Sequence, residues 1–241
     1  EDSILFSYVS QNGEEGFPGT LVVNVICRFS EDNRLILDYR AVTDKDTLCS
    51  LTNHSYFNLA GHGAGSVLDQ LVKIEADYYC TNGAIPMADG GIAAVEGTPM
   101  DFRTFSPVGR ALRSDFVQLR QVGGFNHTYV LRKRERGALE LAASMYDPGS
   151  GRKMEVYTTM PGLHFFSANK TTPRTGKCGA TYDRQFGLCF ETQFFSNSAK
   201  CTWFPSGFAE RKLLPPGDRI SLSGLVRIRK LDDSNIAGNA K

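Results

Sequence analysis

The chain has 241 residues, of which 27 are basic and 26 acidic. That length can bury one large core or two ordinary ones. The near-neutral balance excludes an electrostatic footprint for nucleic acid or an anionic membrane, and no apolar stretch is long enough to span a bilayer.

In chain order, Ile4 to Val9 reads as a first strand after a start, Glu1 to Leu5, that lacks the pattern of a signal peptide. Leu21, Val23, Val25, Cys27 and Phe29 then alternate with Val22, Asn24, Ile26 and Arg28. Glu31-Asp32-Asn33 turns the chain, and Leu35, Leu37, Tyr39 and Ala41 alternate in their turn. This predicts a hairpin with one face in a core. Further strand-like runs are Leu71 to Ala76, Tyr129 to Arg132, Ala138 to Tyr146, Met154 to Thr159, Phe186 to Phe195 and Ile220 to Arg229. One helix is expected around Val108 to Leu119, opened by Pro107. The basic run Arg132-Lys133-Arg134-Glu135-Arg136 lies between two strand-like runs and reads as a solvated hairpin end. Asp147-Pro148-Gly149-Ser150-Gly151 is a turn. Strands without an internal linker predict one all-β domain over 1–230, a large antiparallel sandwich or barrel, with 231–241 a loose polar tail.

The six cysteines, at 27, 49, 80, 178, 189 and 201, show no zinc-type spacing. Buried free thiols in a reducing, cytoplasmic compartment fit them better than a disulfide framework. His62 in Gly61-His62-Gly63-Ala64-Gly65 reads as a loop residue, since that stretch lacks the ending of a phosphate loop. Trp203, the single tryptophan, reads as a packed anchor.

Two segments carry chemistry. Leu51-Thr52-Asn53-His54-Ser55-Tyr56-Phe57-Asn58-Leu59 holds a histidine, and Phe186-Gly187-Leu188-Cys189-Phe190-Glu191-Thr192-Gln193 holds a glutamate in an apolar strand. Desolvation raises the pKa of such a carboxylate towards that of a useful base, and imidazole titrates near neutrality. On a strand, Cys189 and Gln193 share the face of Glu191, a half-polar face that suits a cleft wall and an exposed sheet surface alike. Taken alone, His54 reads as a turn histidine satisfied by Asn53 or Ser55.

The ordered motifs resemble the aldose 1-epimerase (galactose mutarotase) family. They include Asn12 to Gly19, Thr52 to Gly61, Gly65-Ser66-Val67-Leu68-Asp69, Val95-Glu96-Gly97-Thr98-Pro99 with Asp101-Phe102-Arg103, Gly123 to His127, Ser150-Gly151-Arg152, Val156 to Thr159 with Pro161-Gly162, and Glu191-Thr192-Gln193. The resemblance covers nearly the whole chain. It implies a galactose mutarotase-like sandwich that interconverts the anomers of hexoses such as galactose and glucose, with no metal or other cofactor. Glu191 would be the general base at the C1 hydroxyl and His54 the general acid at the ring oxygen. Asn53, Asn126 and His164 would bind the sugar.

Three departures from the family stand out. Its N-terminal segment, with a sugar-site arginine and a second histidine, has no counterpart here, so the domain is expected to be N-terminally incomplete, with an exposed sheet edge for a partner protein to cover. Asn126 stands where the family has an aspartate, and His164 where it has a glutamine. Asn126 fits both a sugar-facing loop and plain turn chemistry after Gly123 and Gly124, whereas His127 reads as a brace of that loop. His164 reads as a sugar contact rather than a packed strand residue. The competing expectation is a catalytically impaired carbohydrate-binding or assembly subunit.

Overall fold

A computed structural model describes residues 2–83, 88–198, 200–201, 213–214 and 219–230. The first strands are β1 (Ser3–Ser10), β2 (Leu21–Phe29), β3 (Arg34–Thr43), β4 (Thr47–Leu48), β5 (Tyr56–Phe57), β6 (Leu71–Ile74), β7 (Ala76–Asn82), β8 (Ala88–Ala94) and β9 (Ser106–Pro107). Two short helices follow, α1 (Val108–Leu112) and α2 (Val117–Val122). Then come β10 (Asn126–Leu131), β11 (Glu140–Asp147), β12 (Arg152–Thr158), β13 (Gly162–Phe166), β14 (Arg174–Thr175), β15 (Thr181–Tyr182), β16 (Leu188–Gln193), β17 (Leu213–Leu214) and β18 (Arg219–Lys230).

The strands form an antiparallel sandwich. The larger sheet runs β1-β2-β3-β18-β12-β11-β6-β9 and the smaller one β5-β16-β13-β10-β7-β8. Alternation decides which side chains meet between them. Val72, Ile74, Ala143, Met145, Met154 and Val156 come from the larger sheet and interlock with Tyr79, Tyr129, Leu131, Leu163, Phe165, Leu188 and Phe190 from the smaller. Every second residue of β10, β13 and β16 must therefore face away from this core, and that outer face holds the site.

The expected hairpin of β2 and β3 is present, with Val23, Leu37, Tyr39 and Ala41 in a second core cluster. The outermost strand, β1, shows apolar side chains to solvent from both faces, including Ile4, Leu5, Phe6 and Tyr8. Trp203 and the expected tail 231–241 lie outside the described residues.

Two expectations are corrected. The single helix over Val108 to Leu119 is two helices, with Pro107 as the N-cap of the first. Ser114 breaks it: its backbone N–H and its Oγ both donate to Ala111 O, closing the turn where a continuing helix would propagate. The basic run is not a hairpin end. β10 pairs with β7 and β13, whereas β11 pairs with β6 and β12, so residues 132–139 cross from one sheet to the other. Its cations are engaged there. Arg132 pairs with Glu75 and Asp77, Arg134 pairs with Glu140, and Lys133 Nζ donates to the carbonyls of Ala138 and Thr158.

Candidate active site

Strand register builds the outer face of the smaller sheet in rows. One row joins Thr128 to His164 and His164 to Glu191. The next joins Asn126 to Phe166, Phe166 to Cys189, and Cys189 to Tyr56. The His54 ring stacks on Tyr56 at 5.1 Å and meets Phe166 edge-on at 5.8 Å. This brings His54 Nε2 to 3.4 Å from Glu191 Oε1. The two segments that carried the chemistry in the sequence are thus neighbours.

The pair is asymmetric. The side chain of His54 is half exposed, whereas that of Glu191 is only 8% exposed. Burial pushes the Glu191 carboxyl up to about 7. Among the described residues its Oε1 has no hydrogen-bond partner, and His54 is the one ion-pair partner within reach.

Backbone tethers fix the loop that carries His54. Asn58 Nδ2 donates to Gly65 O and Phe186 O, and Gln70 Nε2 donates to Asn58 Oδ1. Leu59 O accepts from Ser150 Oγ and Arg152 Nη1, each at 3.0 Å. Motifs distant in sequence, around Asn58, Gly65 and Ser150, therefore share one mechanical task. Asn53 sits at the head of this loop, where its Oδ1 accepts the Ser55 N–H.

Asn126 and His164 are in contact: His164 Nε2 lies 2.8 Å from Asn126 Oδ1, and His164 Nδ1 lies 3.0 Å from Thr128 Oγ1. Burial first, and the nearby His54 charge second, depress the His164 pKa to about 4, so the ring is neutral at pH 7. The acceptor Asn126 Oδ1 assigns the proton to Nε2, and Nδ1 then accepts from Thr128. Ser196 Oγ, 3.1 Å from Thr128 Oγ1, continues this chain. With its carbonyl so engaged, Asn126 keeps its amide N–H groups as donors. Asn126, Thr128, His164 and Ser196 line a cavity of ≈ 290 Å³ together with Cys80, Asn82 and Ala88. That is near the lower end of the about 300–1,000 Å³ typical of small-molecule sites. A second hollow, ≈ 510 Å³, opens beyond Tyr56 and includes His62, Arg174, Tyr182 and Phe186.

His127 points the other way, into the core. It is 1% exposed, its Nδ1 accepts the Asn126 N–H, and burial drives its pKa down to about 3. The loop before it depends on two glycines at φ +74° and +146°. A Cβ on Gly124 would come within 2.1 Å of Asn169 Oδ1, and Asn169 Nδ2 in turn holds Phe125 O. The site residues that the sequence reading missed are Thr128, Ser196 and Tyr56. Thr128 had a signal, since it lies two residues from Asn126 on one strand. Ser196 had none.

Comparison with known proteins places this architecture in a class first. The fold matches that of a GalM/aldose epimerase homologue from C. elegans, with a TM-score of 0.83 over 96% of this chain and 66% of that one, at 24% identity. It also matches a galactose 1-epimerase from Lactobacillus acidophilus, with a TM-score of 0.78 over 95% of this chain and 63% of that one, at 23% identity. The fold is a galactose mutarotase-like β-sandwich. In sequence, the family profile described as aldose 1-epimerase matches residues 1–225. The chain is 38% identical to the galactose mutarotase of Sus scrofa and 33% identical to the aldose 1-epimerase of Escherichia coli, over 90% of its length in both cases. It belongs to the aldose 1-epimerase family, and it spans about 60% of the length of these curated relatives.

Proposed function

We propose that the protein interconverts the α and β anomers of a free hexose, galactose or glucose, with Glu191 as general base and His54 as general acid. The observation that carries this reading is a buried carboxyl pushed up to about 7, set 3.4 Å from an accessible imidazole. A base and an acid act best when their pKa values lie near the working pH. Glu191 takes the C1 hydroxyl proton while His54 protonates the ring oxygen, and the C1–O5 bond opens. Rotation about C1–C2 and reversal of the two transfers close the ring on its other face. The Asn126 amide donates to a sugar oxygen, and His164 orients that amide. Asn53 serves the sugar at one remove, by shaping the turn before His54. The names of the relatives support the substrate class.

Polarimetry on freshly dissolved α-D-galactose tests the reading. Mutarotation faster than in buffer, lost in Glu191→Gln, is the expected result. Equal turnover by that variant would sink the assignment, and no acceleration by the parent would turn the reading towards sugar binding. We also place the chain in the cytoplasm, a reading supported by its six free cysteines. None of the described helices is long and apolar enough to cross a membrane. Recovery of the native protein with paired cysteines would contradict that location.

A further inference from the structure

One cluster on the smaller sheet has a chemistry that sugar isomerisation leaves unused. The His54 imidazole, the Cys189 thiol and the Glu191 carboxylate each bring a donor atom to one place, all within 4.8 Å of one another. Strand β16 supplies Cys189 and Glu191 from the same face. The imidazole arrives between Tyr56 and Phe166, which are the cross-strand partners of Cys189 on its two sides. Imidazole nitrogen, thiolate and carboxylate together make a donor set that zinc accepts. Ligand atoms about 2.0–2.2 Å from a tetrahedral ion lie about 3.3–3.6 Å apart. His54 Nε2 and Glu191 Oε1 are 3.4 Å apart. The widest separation in the cluster has to close by no more than about 1.5 Å to reach zinc–sulfur geometry.

A second observation points to a ligand. Glu191 is buried, and among the described residues its Oε1 has no hydrogen-bond partner. An unsatisfied carboxylate oxygen in a dry setting is costly, and a cation relieves it.

We propose that His54, Cys189 and Glu191 form a site for a thiophilic divalent cation, zinc above all, and that the bound ion inhibits the protein by occupying its acid and its base together. Three protein donors leave a fourth tetrahedral position for water, on the half-exposed side of His54. As the zinc–sulfur bond forms, the thiol proton passes to solvent. The ion competes with the sugar and takes no part in turnover. The inhibitory half of this inference rests on the acid and base roles given above, whereas the binding half does not.

Cobalt(II) titrated into the full chain tests the binding half. An equimolar amount should produce a sulfur-to-cobalt charge-transfer band with tetrahedral visible bands, and zinc should displace both. Cys189→Ala should lose the charge-transfer band and His54→Gln the tetrahedral bands, with folded circular dichroism in each. Cys178→Ala, which removes an exposed thiol, should keep both. A parent without the bands, or a Cys189→Ala variant that retains the charge-transfer band, overturns the site. In polarimetry, zinc should slow the parent and a chelator should restore it. Cys189→Ala should need at least about tenfold more zinc, a loss that even outer-shell changes cause at metal sites. Equal zinc sensitivity in both proteins overturns the inhibitory half. Bands in a parent that shows no mutarotation would count against the proposed function and uphold the metal site.

Discussion

Both sheets bury a glutamate in a strand, and the two carboxylates are held in opposite ways. Glu155 on β12 of the larger sheet has Lys153 Nζ at 2.8 Å and Arg229 at 3.6 Å. Glu191 on β16 of the smaller sheet has no lysine or arginine among its described ion pairs, only His54. Their side chains are almost equally hidden, 12% and 8% exposed. Depth of burial therefore does not distinguish the two carboxyl groups, whereas their charged neighbours do. Fixed cations flank the first, whereas among the described residues the second has none and burial pushes its carboxyl up.

Paired neutralisation tests that contrast most severely. Glu191→Gln should cut mutarotation about 10²- to 10⁴-fold, the usual share of a general base. Glu155→Gln should leave turnover intact and cost about 1–3 kcal/mol of stability, read from denaturant midpoints. Loss of activity in a folded Glu155→Gln would break the comparison.

Stability against pH sharpens it. The folded pKa of Glu191 lies above its ordinary 4.5, at about 7. The folded state thus binds more protons, and this contribution to stability is full below about 4.5 and is lost as pH rises through about 7. A shift of that size corresponds to roughly 3 kcal/mol. Glu191→Gln should flatten the profile across this window. Activity should run the opposite way, rising with pH through about 7 as the base loses its proton. A parent and variant with parallel stability profiles would contradict the raised pKa.

Asn126→Asp places a carboxylate beside the depressed His164. The His164 pKa should rise well above about 4, as followed by NMR of its ring protons. Charge-assisted bonds should lower the sugar KM by roughly tenfold. An unchanged KM would remove Asn126 from the sugar site. The smallest effect belongs to the outer arm of the larger sheet. Phe6→Lys on β1 should reduce self-association in light scattering and shift the melting point little, since Phe6 is 58% exposed.

Legibility differed by region for the same physical reason. The β2–β3 hairpin and the Asp147 turn were legible because alternation and turn chemistry act between near neighbours. The break at Ser114 was not, since one side-chain bond to Ala111 O outweighed a weak helical pattern. The crossover at 132–139 looked like a hairpin end because adjacency in sequence says nothing about which sheet a strand joins. In the candidate site, alternation placed Cys189 and Glu191 on one face and Phe190 on the other. The contacts of His164 with Asn126 and Thr128 arose only from the pairing of β10 with β13.

The sequence by itself determined many of the strands and the inward faces of the β2–β3 hairpin, though not β8 or β13, together with the family and the two segments that carry an imidazole and a carboxylate. Those follow from local periodicity and from residue types in order. Tertiary structure alone decided that the outer face of the smaller sheet is deep enough to raise Glu191. It also decided that His54 arrives there across Tyr56, that no lysine or arginine among the described residues pairs with Glu191, and that Cys189 stands within a metal ion's reach of both. Desolvation and charge pairing depend on what distant segments bring to one point, and no local pattern records that.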